Sequence, residues 1–103
     1  MKIAHLVALS ALLAISSTAF ADGEATFKKA NCAVCHSATS KSVGPSLANI
    51  AAKYKGDAGA QAKLEAKVRN GGSGSFGGMP MPATPKSVGD ADIKTIVSWI
   101  LAR

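Results

Sequence analysis

The chain has 103 residues, 48% of them hydrophobic, with 12 Lys and Arg against 6 Asp and Glu for a net charge of +6. A chain this short makes one small domain whose apolar core is thin, so a staple or a prosthetic group is expected. The basic residues are scattered rather than clustered, which argues against nucleic-acid binding.

The first segment reads as an export signal. Lys2 gives a short positive start, Ile3 to Ile15 form an apolar stretch interrupted by His5 and Ser10, and Ala19-Phe20-Ala21 offers small residues at a cleavage position. The stretch falls short of the roughly 20 residues that cross a bilayer. Cleavage after Ala21 leaves residues 22–103 as one domain in a bacterial periplasm, soluble and not membrane-spanning. It removes His5, Met1 and Lys2, so His36 becomes the sole histidine, Met79 and Met81 the remaining methionines, and the net charge falls by one.

A short helix is expected around Glu24–Ala30, with Phe27 facing inward. After the turn-like Val43-Gly44-Pro45, Leu47, Ile50, Ala51 and Tyr54 follow helical spacing. A second periodic run, Ala58–Arg69, carries a thin stripe at Leu64 and Val68 and ends at Asn70-Gly71-Gly72. Asn70–Lys86 is a long loop dense in Gly and Pro, a length that in so small a domain usually serves function. In the last run Ile93, Ile96, Val97 and Ile100 share a face, and Ser87 with Asp90 resembles a capping box. No stretch alternates with period two, so the fold class is all-α.

Both cysteines lie in Asn31-Cys-Ala-Val-Cys-His36. A disulfide across three positions closes too small a ring to stabilise much. A redox-active dithiol of the thioredoxin kind sits at the end of a strand, and no strand is expected. A zinc site is one ligand short with two Cys and one His. The remaining reading is C-x-x-C-H, the attachment signature of c-type haem. Cysteines at i and i+3 share one helical face, where both thiols can meet the two vinyl groups along one porphyrin side, and His36 then projects to the iron. For the other axial position the candidates are Met79, Met81 or a lysine. Both methionines precede a proline in "GGMPMP", which favours an extended backbone. Met81, with proline on either side, is preferred, with Met79 the runner-up.

The marks "CAVCH", "VGPSLANIAAKY", "KVRNGGSGSFGGMPMP" and a final helix with Trp99 in "VSWIL" span essentially all of residues 22–103. In these the chain resembles a class I cytochrome c of the short bacterial cytochrome c-551/c-552 (c8) type. The resemblance implies about four helices wrapped around one covalent haem c, with thioethers at Cys32 and Cys35 and axial ligands His36 and Met81. It further implies that Pro45 offers its carbonyl to the His36 ring and that Lys67 faces a haem propionate. Two departures stand out. Phe76-Gly77 occupies the place of a Trp-Gly pair whose indole reaches a propionate, and Thr84 lies where many relatives have an Asn that bonds near the methionine sulfur.

His/Met ligation leaves no open iron position and raises the reduction potential. The expected function is a one-electron carrier, not an enzyme, shuttling between a cytochrome c reductase and a terminal oxidase or nitrite reductase as a monomer. Lys28, Lys29, Lys41, Lys53, Lys55 and Lys86 are candidates to steer it to acidic docking patches. The alternative is a haem protein with a labile sixth ligand that binds a gas or peroxide. Trp99 and Phe27 are read as core residues.

Overall fold

The computed structural model describes residues 14–103. The apolar run read as a signal lies largely outside the described residues. Four helices follow in order: α1 Ala14–Lys29, α2 Leu47–Tyr54, α3 Ala60–Asn70 and α4 Asp90–Leu101, with a single 3₁₀ turn, Cys32–Val34, after α1. Among the described residues there is no strand, in keeping with the all-α expectation.

The fold is organised around α4. Its spacing of Ile93, Ile96, Val97 and Ile100 puts four side chains on one face, and all are buried, Val97 completely. Onto this face pack Phe27 from α1, Leu47 and Ile50 from α2, and Leu64 from α3. Phe27 also meets Trp99 in a tilted ring pair with centroids 5.2 Å apart, which matches the core role expected for both. The α1–α4 crossing is close. A Cβ on Gly23 would lie 2.3 Å from the Trp99 Cβ, so only glycine lets the two helices approach here. Gln61 adds polar ties between α3 and α4, donating to the Lys94 carbonyl (3.2 Å) and accepting from the Ser98 hydroxyl (3.2 Å).

The helix ends differ from the expectations in instructive ways. α1 starts at Ala14, ahead of the short helix expected around Glu24, and runs through Ala21. α3 starts at Ala60, because the Asp57 carboxylate accepts from the Gly59 N–H (2.8 Å) and holds the preceding residues in a turn. α4 has Gly89 as its N-cap with no side-chain cap, so the expected Ser87–Asp90 capping box is not formed. The Asp90 carboxylate instead binds Arg69 at 2.8 Å. α2 is capped by Ser46, whose Oγ accepts from the Asn49 N–H at 3.1 Å, a contact that contributes about 1 kcal/mol.

Candidate functional site

One apolar cleft gathers the residues singled out in the sequence. Cys32, Cys35, His36, Lys67, Met79 and Met81 all line it. Its floor is the core itself, with Phe27, Leu47, Leu64, Ile96 and Val97 contributing. Part of its wall comes from the chain between α1 and α2 and part from the loop between α3 and α4.

The first part begins at Asn31, the one described non-glycine residue with positive φ (64°). Asn tolerates this left-handed conformation better than most residues, and it turns the chain sharply from α1 into Cys32–Val34. Cys35 and His36 both return backbone N–H bonds to the Cys32 carbonyl, at 3.2 and 3.1 Å. This tight turn holds the two thiols and the imidazole on one short segment. Both cysteines are half-buried and free of any disulfide. Burial pushes the Cys32 thiol above its ordinary value, and the neighbouring Cys35 adds to the push.

The segment after His36 folds back onto it. Gly44 N–H donates to the Cys35 carbonyl (2.8 Å), and the Pro45 carbonyl lies 2.8 Å from His36 Nδ1. A carbonyl only accepts, so Nδ1 carries the proton and Nε2 keeps its lone pair for a metal. Gly44 makes the arrangement possible, since a Cβ there would sit 2.6 Å from the imidazole Cε1.

In the loop between α3 and α4 the two methionines differ. Met79 is 73% exposed, whereas Met81 is half-buried and fastened by its backbone. Met81 N–H donates to the Gly72 carbonyl (2.8 Å) and Gly72 N–H donates to the Met81 carbonyl (2.9 Å), an isolated antiparallel pair. Gly71, with φ +70°, admits the close approach: a Cβ there would lie 2.4 Å from the Met81 carbonyl oxygen. Lys67 lines the cleft with its Nζ beside Gly72.

Two residues have roles that the sequence did not suggest. Thr84 does not face the methionine sulfur: its hydroxyl donates to the Val68 carbonyl at 2.6 Å and is thereby used to hold the loop to α3. Lys53, one of the six lysines read as steering charges, donates to the Ser75 carbonyl and lies over the Phe76 ring, 4.3 Å from its centroid. Phe76 thus has a cation above it in place of the missing indole donor. Lys28 also has a local partner, Glu24, at 3.0 Å, while Lys41 borders a second groove alongside Val43, Phe76 and Gly77.

The donor set fits a haem of the c type: two thiols three positions apart, an imidazole with Nε2 available, a thioether facing the same cleft and apolar walls around them. Among the described residues no group of three or more His, Cys, Asp and Glu side chains is placed to hold a metal ion.

The same assignment comes from comparison with known proteins. A family model for cytochrome c matches residues 20–103. Cytochrome c2 of Rubrivivax gelatinosus is 53% identical over 74 residues, 71% of this chain and 87% of the relative. Cytochrome c-551 of Azotobacter vinelandii is 47% identical over 79 residues, covering 77% and 94%. The crystal structure of Nitrosomonas europaea cytochrome c552 superposes with a TM-score of 0.72 at 43% identity, covering 77% of this chain and 96% of that one. The chain therefore belongs to the cytochrome c family, as an electron-transfer protein rather than an enzyme, and its cofactor is covalently attached haem c.

Proposed function

We propose that the protein is a soluble periplasmic one-electron carrier, released as residues 22–103 after cleavage behind Ala21. Cys32 and Cys35 would hold the haem through two thioethers, and His36 Nε2 and the Met81 sulfur would ligate its iron. The bound group supplies a low-spin Fe(III)/Fe(II) couple, whose potential thioether ligation raises. The chain's own residues orient and shield it. Pro45 holds the imidazole in the Nδ1–H tautomer, and Lys67 faces a propionate. The apolar floor keeps water from the iron. Ligation by both His36 and Met81 would leave little to rearrange on a change of oxidation state, which suits a shuttle.

The observation that carries this reading is the contrast between the two methionines. Met81 is half-buried and pinned to Gly72 in the same cleft as His36, while Met79 is 73% exposed. Partners are redox proteins with acidic docking patches, a cytochrome c reductase as donor and a terminal oxidase or nitrite reductase as acceptor. The carrier meets them as a monomer through small transient interfaces. The lysines without a local partner, among them Lys41, steer these encounters. Exposed Val34 and Val43 provide apolar contact near the cleft. No helix among the described residues is long and apolar enough to cross a membrane.

Addition of CO to the reduced protein at neutral pH tests the reading. An unchanged spectrum is expected. Rapid and complete CO binding would favour the rival, a haem protein with a labile sixth ligand. In the same preparation Met81→Ala abolishes the thioether–iron charge-transfer band of the oxidised protein and Met79→Ala retains it; the reverse pattern overturns the ligand assignment.

A further inference from the structure

Beyond Met81 the loop runs through Pro82, Ala83, Thr84 and Pro85 to the start of α4, and no residue from 82 to 89 is buried. Val88, at the α4 end of the segment, packs partly buried against the core. Pro82 and Pro85 have no N–H; inside the segment the Val88 N–H donates to the Pro85 carbonyl (3.0 Å), and further bonds to its carbonyls come from donors elsewhere. One side chain supplies most of them. Arg69, at the end of α3, donates through Nη1 to the carbonyls of Thr84 (3.4 Å) and Pro85 (3.2 Å). Through Nη2 it donates to the Val88 carbonyl (2.7 Å) and the Asp90 carboxylate (2.8 Å). The planar fork of guanidinium donors can reach four acceptors at once, where an ammonium on a flexible stem cannot hold such a fan in register. Its side chain is only 25% exposed, while that of its ionic partner Asp90 is 95% exposed. The carbonyl bonds are thus the sheltered part of the arrangement.

The backbone is fastened in the same place. Thr84 N–H and Oγ1 both donate to the Val68 carbonyl, at 3.2 and 2.6 Å, and the Gly72–Met81 pair lies on the other side of the loop turn. Met81 is itself paired with Gly72, just past the end of α3, and the chain is fastened again, to the last turn of α3, at Thr84 just after Pro82-Ala83. Arg69 is the side chain that ties the second attachment onward to α4. Cementing α3 to α4 does not by itself require Arg69, because Gln61 and the buried face of α4 already join these helices.

We propose that Arg69 is a positioning residue for the sixth iron ligand: by clamping the loop exit, it sets how readily the Met81 thioether gives way to an external ligand. The proposal rests on Met81 being that ligand. A thioether is a weak neutral ligand, so its hold depends on a loop already ordered before the bond forms. Loosening residues 82–88 lets the sulfur leave while the helices and the His36 side stay as they are.

Imidazole titration of the oxidised holoprotein, followed at the thioether–iron charge-transfer band, tests this. Arg69→Ala is expected to bind imidazole at least about tenfold more tightly than wild type, the scale expected for losing hydrogen bonds from a charged donor. Arg69→Gln, which keeps an amide donor, should fall between, at about threefold. Asp90→Asn, which removes only an exposed ion pair, should stay within about twofold of wild type. Trp99→Phe serves as a control that weakens the α1–α4 contact away from the loop. Wild-type imidazole affinity in Arg69→Ala overturns the proposal, as does equal tightening in Trp99→Phe at a matched loss of unfolding stability. If Arg69→Ala yields no folded holoprotein, Arg69→Gln decides, and wild-type affinity in that variant overturns it. A band absent from wild type, or surviving in Met81→Ala, overturns the ligand reading and this proposal with it; a band that behaves as expected while the Arg69 variants bind like wild type sinks the positioning role alone.

Discussion

Between Ile93 and Ile100 four side chains of α4 are almost wholly withdrawn from solvent, whereas from Gly71 to Lys86 not one residue is buried. The two regions line the same cleft yet are held by different forces. The helical frame is held by apolar area taken out of water. The methionine loop is held by backbone hydrogen bonds, by proline stiffness and by glycines that let two segments approach. Hydrophobic burial is non-directional and adds up over many residues, so the frame should set global stability. A few directional bonds at Gly72, Val68 and Arg69 place one sulfur, so the loop should set ligand exchange.

The largest expected effect lies in the frame. Ile93 is 2% exposed, packs in the core and does not line the cleft. Ile93→Ala should cost about 3 kcal/mol in denaturant unfolding of the holoprotein, with an unaltered visible spectrum. A shifted spectrum at that position would mean that the two regions are not separable. Next comes Gly71→Ala. Its positive φ and the 2.4 Å approach to the Met81 carbonyl require the loop to move, at about 1–2 kcal/mol for the left-handed backbone alone. It should weaken the charge-transfer band out of proportion to its effect on unfolding, and a normal band would break the comparison.

A smaller effect is expected at Lys53. Lys53→Ala removes the cation over Phe76 and the bond to the Ser75 carbonyl, for about 0.5–1 kcal/mol. Faster hydrogen exchange of the amides near Ser75 and Phe76, with unchanged exchange in α4, is the expected signature. Uniform exchange would return Lys53 to the steering charges. The smallest effect concerns pH. Hydrogen bonding from Lys63 holds the Asp57 carboxyl below its ordinary value. The stabilisation is present above that ordinary value and is lost as pH falls through the lowered one. Asp57→Asn should therefore flatten only the acid limb of thermal stability, slightly, because the pair is exposed, and leave ligand exchange untouched.

The same division decides what could be read from the sequence. α2, α3 and α4 were visible because burial on one face imposes a 3.6-residue period on Leu47, Ile50, Leu64, Ile93, Ile96, Val97 and Ile100. The Cys32–His36 segment was visible because its chemistry lies within five consecutive residues. The Met loop announced itself through Gly and Pro, and the structure brings Met81 to the cleft. What holds that loop was not legible. Arg69 reaches Asp90 across 21 residues and otherwise binds carbonyls, which every residue possesses and no residue type marks. Ser87 and Asp90 had the spacing of a capping box, but Arg69 took the carboxylate. Thr84 suggested a partner for the sulfur, and its hydroxyl went instead to Val68. Local pattern shows which residues are available; tertiary hydrogen bonding decides where polar ones are used.

The central claim is a haem joined to the chain through Cys32 and Cys35. Denaturing mass spectrometry of the exported protein, produced alongside a haem-attachment system, tests it most directly. The expected result is one species with the mass of residues 22–103 plus a single haem, red in colour and with no thiol open to alkylation. A colourless product with the mass of the polypeptide alone and two alkylatable cysteines would contradict it.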